Sequence, residues 1–224
     1  DKIGYSIYMA SGRSLYINSI YAYEKPSEDS GIILYIDKQV YNIGDNVNVF
    51  VDVTKDGTLN LTAPGFADTR SLTSGDSPVI SFNMPELRSG TYYIDYTFEN
   101  FSSSYPFDVN GYSARILEFT LDKDVYDTGD SMTMEMLVEA NRNFSGNIKM
   151  WMSSGSNTLD SFEISRNFLK GENKIEVNRT LNTLGSNIHS LEYGVYTDLG
   201  NSSILLASGA EYFDAVNSGY ELSS

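Results

Sequence analysis

The chain has 224 residues, 41% hydrophobic and 13% aromatic, a composition that belongs to a folded globular protein and not to a disordered one. Thirty acidic residues against fifteen basic ones give a net charge of −15, a field that repels nucleic acid and anionic lipid. Cysteine is absent and histidine occurs once, so disulfides, thioesters and zinc sites of the His/Cys kind are excluded by counting.

From the N-terminus, Ser6-Ile7-Tyr8-Met9-Ala10-Ser11-Gly12 resembles Ser203-Ile204-Leu205-Leu206-Ala207-Ser208-Gly209 far downstream. Residues 1–23 are therefore expected to be the closing hairpin of a preceding, truncated repeat, or an extra hairpin of the first full module. The polar stretch 24–31 reads as a linker. Leu34 and Ile36 then open a strand that leads into Asp37-Lys38-Gln39-Val40-Tyr41-Asn42-Ile43-Gly44-Asp45. Six of these nine residues recur 85 positions on (122 − 37), in Asp122-Lys123-Asp124-Val125-Tyr126-Asp127-Thr128-Gly129-Asp130. A fixed period of this size is the mark of tandem modules.

After each copy the hydrophobic pattern alternates with a period of two. Val47, Val49, Val51 and Val53 correspond to Met132, Met134, Met136 and Val138, so each set is expected to line a core. The Tyr-x-x-Gly-Asp segment reads as the turn between two strands, with Gly44 and Gly129 free to take positive φ. Further on, Gly57-Thr58-Leu59-Asn60-Leu61 corresponds to Gly146-Asn147-Ile148-Lys149-Met150, and Ile94, Tyr96 and Phe98 to Leu191, Tyr193 and Val195. No stretch shows an apolar stripe at helical spacing or the ~20 apolar residues of a membrane helix. The expectation is an all-β chain of tandem antiparallel immunoglobulin-like sandwiches: residues 32–110, a linker at 111–115, residues 116–217 and a tail at 218–224. Asp214-Ala215-Val216-Asn217-Ser218-Gly219-Tyr220 echoes Asp108-Val109-Asn110-Gly111-Tyr112, so the chain reads as part of a longer array whose short joins make a semi-rigid rod.

Tyr41-x-x-Gly44-Asp45-x-Val47, Tyr126-x-x-Gly129-Asp130 and the later Phe168-Leu169-Lys170-Gly171-Glu172-Asn173-Lys174-Ile175 resemble macroglobulin-like and cell-adhesion-related repeats of prokaryotic, especially archaeal, surface proteins. The resemblance implies an extracellular, non-enzymatic structural or adhesive module of a cell-surface or surface-layer protein, whose partners are neighbouring repeats. Ile43 and Thr128 stand where macroglobulins often carry proline, and without cysteine the thioester chemistry of that family does not transfer. Two alternatives stay open: a module that binds carbohydrate or protein, and an accessory domain of a larger surface hydrolase.

The search for chemistry finds little. His189 reads as a surface-loop residue ahead of a strand, with no nucleophile elbow to serve. No phosphate-binding glycine motif occurs. Asp122, Asp124, Asp127 and Asp130 crowd one turn and could offer oxygens to calcium, although turn formation accounts for them as well. Sequons place glycosylation candidates at Asn60, Asn100, Asn143, Asn178 and Asn201. Trp151, between Met150 and Met152, is expected on the face opposite the core, where it either stacks on a sugar ring or packs against another module.

Overall fold

A computed structural model describes residues 30–182, 184, 188–200 and 202–216. The expected hairpin at 1–23, most of the linker at 24–31 and the tail at 218–224 lie outside the described residues. Ser30 and Gly31, at the end of that linker, pack onto the first module instead of extending into solvent: Ser30 is buried, and the Gly31 carbonyl accepts the Thr54 amide at 2.9 Å.

All the described regular structure is strand, in two copies of one plan. The first contains β1 (Ile32–Ile36), β2 (Val40–Asn42), β3 (Asn46–Val53), β4 (Gly57–Ala63), β5 (Phe66–Leu72), β6 (Val79–Asn83), β7 (Gly90–Phe98) and β8 (Phe101–Asn110). The second contains β9 (Ala114–Leu121), β10 (Val125–Asp127), β11 (Ser131–Ala140), β12 (Phe144–Ser154), β13 (Asn157–Phe168), β14 (Gly171–Thr180), β15 (Ile188–Leu199) and β16 (Ser202–Val216). Each copy pairs a three-stranded sheet, β1-β3-β6 or β9-β11-β14, with a five-stranded one, β2-β8-β7-β4-β5 or β10-β16-β15-β12-β13. This is an immunoglobulin-like arrangement of two facing sheets.

The valines and methionines that alternate along β3 and β11 all point inward and are buried. Each module has its own core: one is built around Tyr41, Val49, Leu61 and Phe98, the other around Tyr126, Met134, Met150 and Phe168. On the second module's open edge, Arg179 of β14 makes two hydrogen bonds to the Asp160 carboxylate of β13 and lies over Phe162, tying the two sheets together.

The repeated nonapeptide is more than a turn. Val40–Asn42 and Val125–Asp127 are short strands in their own right, and each pairs in parallel with the last strand of its module. The chain therefore leaves the three-stranded sheet after β1 and joins the five-stranded one at β2. Such a switch strips backbone groups of their ladder partners, and one side chain makes up the loss. The buried Tyr41 donates its hydroxyl to Asp37 Oδ1 at 2.7 Å and accepts the Lys38 amide at 3.2 Å, while the Asn48 amide donates to the same carboxylate oxygen at 3.0 Å. The second copy repeats the set: Tyr126 to Asp122 at 2.7 Å, Lys123 amide to Tyr126 at 3.1 Å, Thr133 amide to Asp122 at 2.7 Å. Each phenol ring also meets the last strand edge-on, at Phe107 or Phe213. Gly44 and Gly129, with φ of 84° and 94°, turn the chain back, and Asp45 and Asp130 accept the amides of Asn42 and Asp127.

Burial alone would raise the Asp37 carboxyl, but the Tyr41 hydroxyl and the Asn48 amide outweigh it and hold the group below its ordinary 3.8. Asp122 is lowered by the same balance, with the Thr133 amide and the Tyr126 hydroxyl against burial. Burial, and then the adjacent carboxylate, push both phenols above the ordinary 10.0. The depressed carboxylates stabilise the fold above about pH 4, and this contribution is lost as pH falls through their folded-state values. The raised phenols stabilise it below about pH 10, and their contribution is lost as pH rises beyond that. Tyr41→Phe and Tyr126→Phe should each cost about 1.5–3 kcal/mol at neutral pH, in line with a hydrogen bond to a charged group. In urea titrations from pH 2 to 11 the deficit should narrow at both extremes; a deficit constant across that range would show that the pair is not the source.

Candidate functional site

The most elaborated polar constellation lies at the join between the modules. Only Gly111, Tyr112 and Ser113 separate β8 from β9. A side chain at 111 is impossible, because a Cβ there would stand 2.1 Å from the Leu87 carbonyl oxygen. That close approach lets the Tyr112 amide donate to Leu87 O and the Ser89 amide donate to Tyr112 O, both at 2.8 Å, a parallel bridge onto the loop before β7. The Tyr112 hydroxyl reaches Glu86 at 3.3 Å. The same ring stands edge-on to Phe144 and under the Arg142 guanidinium, so one residue engages both modules.

The second module closes the join from its β11–β12 loop. Asn141 donates from its side chain to Gly111 O at 2.8 Å and accepts the Ser113 amide at 2.9 Å, and Arg142 donates to Asn110 O at 3.2 Å. The sequence shows Gly111 only as part of a short linker, and it gives no sign of the roles of Glu86, Asn141 and Arg142.

The residues nominated from sequence are scattered. Asp122, Asp127 and Asp130 are turn residues with backbone partners: Asp122 takes Thr133 N, Asp127 takes Thr128 N at 2.7 Å, and Asp130 takes Asp127 N together with the Lys123 ammonium. Asp124 contributes its carbonyl, which accepts the Asp214 amide at 2.9 Å. No group of three or more potential metal-ligating side chains converges among the described residues. His189 is not a surface-loop residue. It lies in β15, fully buried, with its ring stacked on Phe213 at 5.3 Å; the turn-like composition of Gly185–Ser190 hid the start of the strand.

Trp151 does face away from the core, half-buried between the inward Met150 and Met152, and meets Tyr196 edge-on. It lines an open groove with Tyr196, Glu192 and Ser208 on the outer sheet face.

The sequons differ in availability. Asn60 sits inside β4 with its amide bonded to Thr97 and Thr69, Asn178 inside β14 bonded to Thr133 and Glu176, and Asn143 accepts the Lys170 amide at 2.7 Å. Asn100 is exposed at the tip of the β7–β8 hairpin, beside Glu99 at φ 53°. Asn201 lies outside the described residues.

No family model matches the chain, and no curated protein does. Solved structures resemble it in fold. Three N-terminal domains of the Highly Immunogenic Outer Capsid protein of bacteriophage RB49 align over 83% of this chain and 70% of their own, at 9% identity and a TM-score of 0.32. A DUF4785 family protein from Legionella pneumophila aligns over 82% of this chain and 56% of its own, at 11% identity and TM-score 0.40. A cycloisomaltooligosaccharide glucanotransferase from a Paenibacillus species, solved with cycloisomaltoheptaose, aligns over 48% of this chain and 14% of its own, at 16% identity and TM-score 0.37. The chain thus spans a small fraction of the glucanotransferase and about half of the Legionella protein. At such scores and identities the resemblance carries no functional argument.

In a host that glycosylates sequons on folded chains, glycopeptide mass spectrometry should find Asn100 modified, with Asn60 and Asn178 empty because their amides are committed within strands. Equal occupancy at Asn60 would contradict this ordering.

Proposed function

We propose that the chain is a non-enzymatic structural segment of a cell-surface or surface-layer protein, in which sandwich modules stack end to end as a semi-rigid, acidic spacer that needs no cofactor. The observation that supports this reading is the join. Three residues, a glycine pressed against a carbonyl and a tyrosine shared by both modules restrict bending far more than a free linker of that length would. The charge of −15 suits an exposed, hydrated surface. Kinship with macroglobulin-like repeats, and an extracellular, prokaryotic and archaeal home, belong to the same reading and rest on the Tyr-x-x-Gly-Asp motif and the absence of cysteine. Calcium, if it acts, acts at the acidic turns and not in a core.

The join is testable by ¹⁵N relaxation. Both modules of the wild-type chain should tumble with one rotational diffusion tensor. The double variant Tyr112→Ala, Asn141→Ala should split the modules into two regimes while each keeps its own dispersion of resonances. Independent tumbling in the wild type would defeat the spacer reading.

A further inference from the structure

The outer sheet faces of the two modules follow one plan and both are hollowed, but the hollow of the second is about twice as large and carries an indole. Trp151 pairs with Glu192 across β12 and β15, as Thr62 pairs with Asp95 across β4 and β7. In the first module Ser104 bonds the Asp95 carboxylate, and the hollows beside Thr62 measure only about 330 and 320 Å³. The fold therefore does not require an indole here.

Local backbone irregularities shape the hollow. The β12–β13 ladder shifts register between Met152 and Ser153, just before a tip turned by Gly155 at φ 57°. The β15–β16 ladder shifts between Val195 and Tyr196. Trp151 and Tyr196 then stand 6.4 Å apart, centroid to centroid, beside Ser208, Gly209 and Ala210, which add no bulk. The hollow measures about 700 Å³, within the range of small-ligand clefts.

We propose that this groove binds a neutral hexopyranose glycan, with one sugar ring stacked on the Trp151 indole. A pyranose has an apolar C–H face and a rim of hydroxyls. The groove answers both, with an aromatic wall for the face and the exposed Glu192 carboxylate and Ser208 hydroxyl for the rim. Charge selects the class. Lys149 is already paired with Glu163 at 3.7 Å and lies over the Tyr196 ring, so the Glu192 carboxylate weighs against uronic or sulfated sugars. The site is separable from the spacer role, because it lies on a sheet face and shares no residue with the join.

Trp151 is the sole tryptophan, which makes its emission a direct reporter. The full chain is titrated with neutral oligosaccharides (malto-, cello-, manno- and galacto-hexaose) and with a hexauronate. At least one neutral glycan should give a saturable emission change with Kd on the order of millimolar, as a shallow one-ring contact allows, and the hexauronate should give none. By calorimetry, Trp151→Ala with an unchanged circular dichroism spectrum should abolish binding. Glu192→Gln should weaken it about fivefold, the loss of one charged hydrogen bond, and Thr62→Ala in the first module should leave it intact. Absence of binding by every neutral glycan, preference for the hexauronate, or undiminished binding by folded Trp151→Ala would each overturn the assignment.

Discussion

A buried phenol bonded to a carboxylate at a strand switch is the interaction on which the rest of this molecule depends. An immunoglobulin-like sandwich whose first strand serves both sheets must carry its chain across the core, and the crossing leaves amides without ladder partners. The Tyr41–Asp37 pair, and its copy Tyr126–Asp122, collects those amides at one point while the ring fills the core beneath. Once the ring is seated, the short strand that carries it has only one register against the last strand, with Tyr41 opposite Val109 and Tyr126 opposite Ala215.

That register reaches the join. Asn42 pairs with Asn110, the residue whose carbonyl accepts Arg142 and which immediately precedes Gly111. The position of Gly111 against Leu87, and hence of Tyr112 between the modules, is thus set by a side chain buried in the first core. On the proposed spacer reading, stiffness between modules follows from order within them. It also follows that the join is built of hydrogen bonds and one shared aromatic ring, a combination sensitive to single substitutions.

Much of this was legible in the residues. Period-two alternation at Val47–Val53 and Met132–Val138 requires a strand with one dry face, and the recurrence of Tyr, Gly and Asp 85 positions on requires the same corner twice. The parity argument that put Trp151 outside holds because Met150 and Met152 flank it. The failures are equally specific. In sequence Tyr41 and Asn42 read as the start of a turn, because a three-residue strand such as Val40–Asn42 is too short to show a periodicity. In sequence His189 looks like a surface-loop residue because the residues before it have turn composition, yet in the fold it lies in β15, opposite Phe213. Glu86, Asn141 and Arg142 gave no signal at all; their role exists only after two separate loops meet.

Native-state hydrogen exchange measures most directly whether corner and join form one ordered unit. The decisive amides are Lys38 and Lys123 at the corners and Ser89, Tyr112 and Ser113 at the join. If the account holds, the join amides exchange only through openings nearly as costly as those that release the corner amides. Exchange of Ser89 and Tyr112 at rates typical of frayed loops, with the corners still protected, would show two sound modules on a loose tether and would contradict it.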